Sequence, residues 1–215
     1  MSNELLAQIS QSLVDGDPDA TFALVQQGLA SGMEPMTLIR EGLMSGMNIV
    51  GEYFASGEYF LPDLIIAAEG MKRAMELLEP ELRARQQTFE APGTVVIGTV
   101  KGDIHEIGKS LVATMLSANG FKVFDLGVDV PIQSFVDKIK ETNANMLGLS
   151  ALLTTTMTMQ REVIKALVAE GVRGQVKVIV GGAPVTKSWA EEIGADGYAE
   201  DAMGAVHLAK KLVGA

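Results

Sequence analysis

The feature that most constrains this chain is a change of hydrophobic period partway along it. Up to about Gln87 the apolar residues recur only at helical spacing, whereas from Thr94 onward short β-branched runs alternate with helix-like segments. Between the two, Gln86 to Gly93 is polar at first and ends in Pro92-Gly93, the signature of a linker. A chain of 215 residues, 47% of them hydrophobic, is long enough for each half to bury a core. Two domains are therefore expected, residues 1–88 and 89–215.

In the first half, Leu5, Leu6, Ile9, Leu13 and Val14 form one helical stripe. Asp17-Pro18 supplies an N-cap acid and a first-turn proline for a second helix running to about Ala30. Glu34-Pro35 opens a third helix carrying Leu38, Ile39, Leu43, Met47, Val50 and Phe54, and Leu61-Pro62 a fourth, which Pro80 is expected to kink or end. Short connections predict an up-and-down four-helix bundle. Gly42, Gly46 and Gly51 inside the third helix each cost about 1 kcal/mol relative to alanine, so either a neighbouring helix or a ligand has to approach that backbone closely.

In the second half, strands are expected at 94–99, 121–126, 146–150, 176–180 and 197–198. Helices lie between them, and a last one spans 201–213. This βα alternation predicts a five-stranded parallel sheet of flavodoxin-like, doubly wound order. The ligand crevice of such a sheet lies beyond the carboxyl ends of its strands, beside the first.

Three stretches fall on that edge. After strand one comes Gly98-Thr99-Val100-Lys101-Gly102-Asp103-Ile104-His105-Glu106-Ile107-Gly108, with D-x-H-x-x-G spacing at Asp103, His105 and Gly108. A reversal over two residues brings the Asp103 carboxylate beside the imidazole, where it accepts a hydrogen bond from one ring nitrogen and leaves the other as a fixed outward lone pair. Strand three runs into Ser150-Ala151-Leu152-Leu153-Thr154-Thr155-Thr156, and strand four into Gly181-Gly182-Ala183-Pro184. Hydroxyls also cap helices and glycines also make turns. Their convergence beside a carboxylate-oriented histidine points to a slot for a long ligand.

Composition limits what that ligand is. A formal net charge of −10 makes nucleic acid and anionic membranes poor partners. With no cysteine, and with His105 and His207 as its 2 histidines, the chain offers no thiolate or multi-histidine metal site, so a metal bound through His105 must bring most of its own ligands. Neither a signal segment nor a membrane-length apolar run is present, and the cytoplasm is the expected location.

With these residues in place, the chain resembles the corrinoid (vitamin B12) proteins, namely cobalamin-dependent methionine synthase and the small corrinoid proteins of methyltransferase systems. The likeness rests on D-x-H-x-x-G at Asp103, His105 and Gly108, on S-x-L at Ser150 and Leu152, and on the pair Gly181-Gly182. In the helical half, Met47-Asn48-Ile49-Val50-Gly51, Phe54 and Phe60-Leu61-Pro62 are similar to that family's cap domain. Essentially the whole chain is covered.

The resemblance implies that His105 is the axial cobalt ligand, replacing the cofactor's own dimethylbenzimidazole, with Asp103 holding the ring. The displaced nucleotide tail would thread a slot lined by Gly108, Ser150, Leu152, Thr154, Gly181 and Gly182, with a backbone contact at Ala202. Thr156 stands where a hydroxyl residue, more closely a serine, extends the His-Asp relay. Phe54 and Leu61 match the residues over the methyl-bearing face, and Gln86 to Gly93 would be the hinge on which the cap moves aside.

A methyl carrier rather than a stand-alone enzyme is implied. Its cobalamin or related corrinoid would cycle between cob(I)alamin and methylcobalamin, that is, Co(I) and methyl-Co(III). The implied partners are a substrate:corrinoid methyltransferase, then a corrinoid:tetrahydrofolate or corrinoid:thiol methyltransferase loading, for example, coenzyme M, and a reductive activase. Selectivity among methanol, methylamines, betaines and aryl methyl ethers resides in the partner enzyme. The alternative is a B12-dependent sensor or regulator, against which the acidic charge speaks because such proteins carry a DNA-binding headpiece. An adenosylcobalamin mutase subunit would not bring this cap, and a receiver domain would need an acidic pocket where strand three instead ends in Ser150.

Overall fold

The computed structural model describes residues 2–85 and 91–214, in two compact units, the first holding the N-terminal residues together with Ala118–Gly120 and the second the rest of the chain from Ala91 onward. The expected linker and hinge lies outside the described residues over 86–90.

The first unit is helical: α1 Ser2–Val14, α2 Pro18–Ala30, α3 Pro35–Thr37, a π-helical turn Leu38–Leu43, α4 Met44–Ser56 and α5 Leu61–Ala84. Asp17 caps α2 by accepting from the Ala20 N–H at 2.9 Å, as its place before Pro18 requires. The helices α1, α2, α4 and α5 close around Ile9, Leu13, Val25, Leu38, Leu43, Val50, Leu64 and Leu78, all essentially inaccessible to water. Burying each such side chain contributes about 1.5–3 kcal/mol.

Two of the helix-interior glycines serve this packing. A Cβ on Gly46 would lie 2.7 Å from the Ser10 carbonyl oxygen, and one on Gly42 would lie 3.0 Å from Ile9 Cγ2. Both positions let α1 approach, so they are explained by helix packing without a ligand. One feature departs from expectation, and of the two outcomes expected at Pro80, a kink or an end, the end does not occur. Residues 35–56 are not one regular α-helix but are interrupted by the π-helical turn. Pro80 does not end α5, which continues to Ala84. Buried Leu78 and Leu82 carry the helix past it, and Pro80 itself lies on the exposed face, where an unpaired carbonyl finds water.

The second unit contains β1 Thr94–Thr99, α6 Ile107–Ala118, β2 Lys122–Asp125, α7 Ile132–Thr142, β3 Met146–Ser150 and α8 Thr158–Ala169. A 3-10 turn Arg173–Gln175, β4 Lys177–Gly181, α9 Lys187–Ile193, β5 Gly197–Tyr198 and α10 Ala202–Val213 complete it. All strand pairs are parallel, in the order β2-β1-β3-β4-β5. Val95 to Thr99 are buried without alternation, because helices cover both faces of a doubly wound sheet.

The register fixes the edge that matters. Thr99 pairs with Ser150, and Ser150 with Gly181, so the three strands end in one row. The order reverses between β1 and β3, which is where such sheets accept ligands.

Candidate functional site

The turn after β1 is tied down at several points. Gly102 adopts φ +84°, a left-handed conformation that favours glycine, and the Asp103 N–H donates to the Val100 carbonyl at 3.1 Å. The loop after β2 holds it from the side: Asp129 N–H donates to the Asp103 carbonyl at 2.9 Å, and Asp129 Oδ1 accepts from Gly102 N–H at 2.7 Å. From below, the buried Thr99 hydroxyl donates to the His105 carbonyl at 2.9 Å.

Held this way, Asp103 has a side chain with 0% exposure, while the His105 ring beside it is 44% exposed. Asp103 Oδ1 lies 2.7 Å from His105 Nδ1 and also accepts from the His105 backbone N–H at 3.1 Å. Oδ2 accepts from the Leu152 backbone N–H at 2.8 Å and from the Thr156 hydroxyl at 2.6 Å. Burial alone would raise the carboxyl pKa. The hydrogen bonds from Thr156, the His105 ring, and the His105 and Leu152 amides outweigh it and hold Asp103 well below the usual carboxylate range.

An ionised carboxylate has no proton to give, so Nδ1 donates and the tautomer is set. Nε2, across the ring, has no protein partner among the described residues, and in the neutral ring it is the nitrogen left with the lone pair. Around it the surface is unusually apolar: Ile104 is 74% and Ile107 82% exposed, and Leu152 and Leu153, next to the Asp103 contact, are also open. A Cβ on Gly108 would meet nothing within 4 Å.

The glycine pair is built differently. Gly182 has φ +122°, and a Cβ there would lie 1.8 Å from the Ala151 carbonyl oxygen, so β3 and β4 leave the sheet almost in contact. Ser150 and Gly181 are half-buried and Thr154 is exposed on the same rim. The structure thus brings together Asp103, His105, Leu152 and Thr156 by direct contact, with Gly108, Ser150, Thr154, Gly181 and Gly182 on the same strand-end edge. Ala202 is buried in the first turn of α10 behind its N-cap Asp201. Phe54 is half-buried on α4, and Leu61 is 38% exposed at the start of α5; both belong to the helical unit.

Sequence reasoning missed Thr99, Asp129 and the Leu152 amide, because loop-to-loop hydrogen bonds leave no periodic trace. It also missed Lys109, a buried cation on α6 paired with Asp125 at the end of β2. Gln160 did leave a signal: it is a polar residue on the apolar stripe of α8 shared with Val163, Ile164 and Leu167.

These residues suit one kind of metal group. Among the described residues no cluster of three or more His, Cys, Asp or Glu could hold a bare ion. A single oriented Nε2 flanked by the exposed apolar side chains of Ile104 and Ile107, with open space at Gly108 and glycines at the neighbouring strand ends, fits a metal macrocycle that supplies its other ligands.

The fold and this site define a corrinoid-binding protein, and comparison with known families agrees. A B12 binding domain family matches residues 93–207 and a second B12 binding domain family residues 5–79. The chain belongs to the B12-binding corrinoid protein family. It is 50% identical over 210 residues to dimethylamine corrinoid protein 1 of Methanosarcina mazei, covering 98% of this chain and 96% of that one. It is 47% identical to trimethylamine corrinoid protein 1 of Methanosarcina acetivorans, covering 98% and 97%. Among solved structures, the methanol:cobalamin methyltransferase complex of Methanosarcina barkeri contains a chain that is similar with a TM-score of 0.87 at 32% identity, covering 98% of this chain and 80% of that one.

Proposed function

We propose that this protein is the corrinoid-carrying component of a methylamine methyltransferase system, holding a corrinoid through His105. The observation that carries this reading is the buried, ionised Asp103 fixing the His105 tautomer so that Nε2 faces outward as a ligand. The relatives' names, dimethylamine and trimethylamine corrinoid protein, support the methylamine class.

A bound corrinoid supplies a cobalt that accepts a methyl group and gives it up again. The side chains govern what surrounds that chemistry. His105 Nε2 would ligate the cobalt, Nδ1–H donates to Asp103 Oδ1, and the Thr156 hydroxyl and Leu152 N–H donate to the other carboxylate oxygen. The exposed apolar side chains of Ile104, Ile107, Leu152 and Leu153 would exclude water from a bound corrinoid. Gly108, Ser150, Leu152, Thr154, Gly181 and Gly182 would receive the tail, with Ala202 as a further backbone contact. Residues 1–88 would serve as the cap, with Phe54 and Leu61 as its candidate cofactor contacts, and residues 89–215 as the binding domain.

The partners are a methylamine:corrinoid methyltransferase and a second methyltransferase loading tetrahydrofolate or a thiol such as coenzyme M, with a reductive activase restoring the reduced cobalt. No described helix is long and apolar enough to cross a membrane, and the cytoplasm is the proposed place of action.

The test is to incubate the protein with hydroxocobalamin, remove free cofactor, and compare visible spectra of wild type and His105→Ala. Stoichiometric cobalt with a spectrum that depends on His105 is expected. Failure to retain corrinoid under several reconstitution conditions would overturn the assignment.

A further inference from the structure

Gln160 is completely buried on α8, among the apolar side chains that pack that helix against the sheet. A primary amide in such a place destabilises the fold unless its groups find partners. Here they find them at one spot. Nε2 donates to the Leu149 carbonyl at 3.0 Å and to the Gly181 carbonyl at 3.2 Å, while Oε1 accepts from the Trp189 indole N–H at 3.0 Å. An indole nitrogen is only a donor, so Oε1 has to face it and the NH2 has to face the two carbonyls.

Those carbonyls belong to the last rungs of β3 and β4, and Ser150 pairs with Gly181 across the same gap. The next residues along each strand are the rim itself: Ser150 and Ala151 on one side and Gly182 on the other. An apolar side chain would fill the same space. The amide additionally fixes the separation and rotation of two strand ends that nearly touch at Ala151 and Gly182.

We propose that Gln160, oriented by Trp189, is a positioning residue for the nucleotide-tail slot, setting the shape of the β3–β4 rim without touching the ligand of the cobalt. The proposal rests on the corrinoid reading above. It separates two parts of cofactor binding. The ring would be held by His105 on the β1 turn, with which Gln160 makes no hydrogen bond among the described residues. The tail would be held by Ser150, Gly181 and Gly182, the part of the rim next to the clamped carbonyls, whereas Leu152, whose N–H holds Asp103, lies beyond that part.

The experiment compares a corrinoid that has a nucleotide tail, cobalamin, with one that lacks it, cobinamide, titrated into the full chain and followed by the visible spectrum. Gln160→Met, with its thermal midpoint and circular dichroism recorded, is expected to bind cobalamin about tenfold more weakly than wild type and cobinamide within about twofold of it. Trp189→Phe removes the donor that orients the amide and should show a smaller loss of the same selectivity; it carries the test if Gln160→Met does not fold. Equal losses for both corrinoids, or unchanged cobalamin affinity in the folded variants, would overturn the proposal. Wild type binding both corrinoids equally would overturn it by removing the tail slot, whereas wild type binding neither would instead defeat the carrier reading.

Discussion

The Thr156 hydroxyl lies 2.6 Å from Asp103 Oδ2, although 53 residues separate the two in the chain. The same hydroxyl is 3.0 Å from the Leu153 carbonyl, but its single proton goes to the nearer, charged acceptor. Thr156 therefore extends the His105–Asp103 pair by one donor, and serine is not required for that geometry.

Thr156→Val should weaken corrinoid retention about tenfold, because a hydrogen bond to a buried carboxylate is lost while shape is kept. Thr156→Ser should restore it. Dissociation constants for the three proteins check this; equal affinity for valine and threonine would remove Thr156 from the relay.

Asp103→Asn keeps the shape but loses the charge, and the amide can present its NH2 to His105 Nδ1. The opposite tautomer is then favoured, with the proton on Nε2, where a metal cannot bind. Affinity for cobalamin is expected to fall about 10- to 100-fold, read as the ratio of dissociation constants and as loss of the histidine-dependent spectrum.

Asp103 also makes the apo protein sensitive to acid. Its folded pKa lies below the unfolded one, so its stabilisation is fully present above the ordinary carboxylate range and declines as pH falls through that range towards the folded value. Between pH 7 and pH 3 wild type should lose about 1 kcal/mol more than Asp103→Asn in urea unfolding. Parallel losses in the two proteins would contradict the buried, ionised state.

Gly182→Ala and Gly108→Ala should behave oppositely. At Gly182 the new Cβ meets the Ala151 carbonyl at 1.8 Å in a backbone with φ +122°, so the strand ends must separate. A loss of more than about 3 kcal/mol is expected. At Gly108 the Cβ enters open space, and apo stability should stay within about 0.5 kcal/mol. Corrinoid affinity should nevertheless fall there, since that space is assigned to the cofactor. Thermal midpoints and cobalamin titration separate the two effects.

Much of this was legible in the chain. The shift of hydrophobic period gave a helical half and a βα half, because period reports directly which faces are buried. The D-x-H spacing gave the His105–Asp103 contact, since residues two apart in one turn are already neighbours, although Thr99 and Asp129 hold that turn in place. Pro80 and the π-helical turn at Leu38–Leu43 were not legible: in both, packing of residues such as Leu78, Leu82 and Leu43 overrode the local preference.

By itself, then, the sequence determined the two kinds of secondary structure, the strand-end location of His105, Ser150 and Gly181, and the local carboxylate–imidazole pair. Each of these depends on residues near one another in the chain or on a repeating pattern. Only the tertiary structure decided that Asp103 is buried and ionised, that Thr156, Leu152 and Asp129 complete its surroundings, and that Gln160 joins β3 to β4. Those contacts join distant segments with no period relating them, and they exist only once the parallel sheet sets its strand ends side by side.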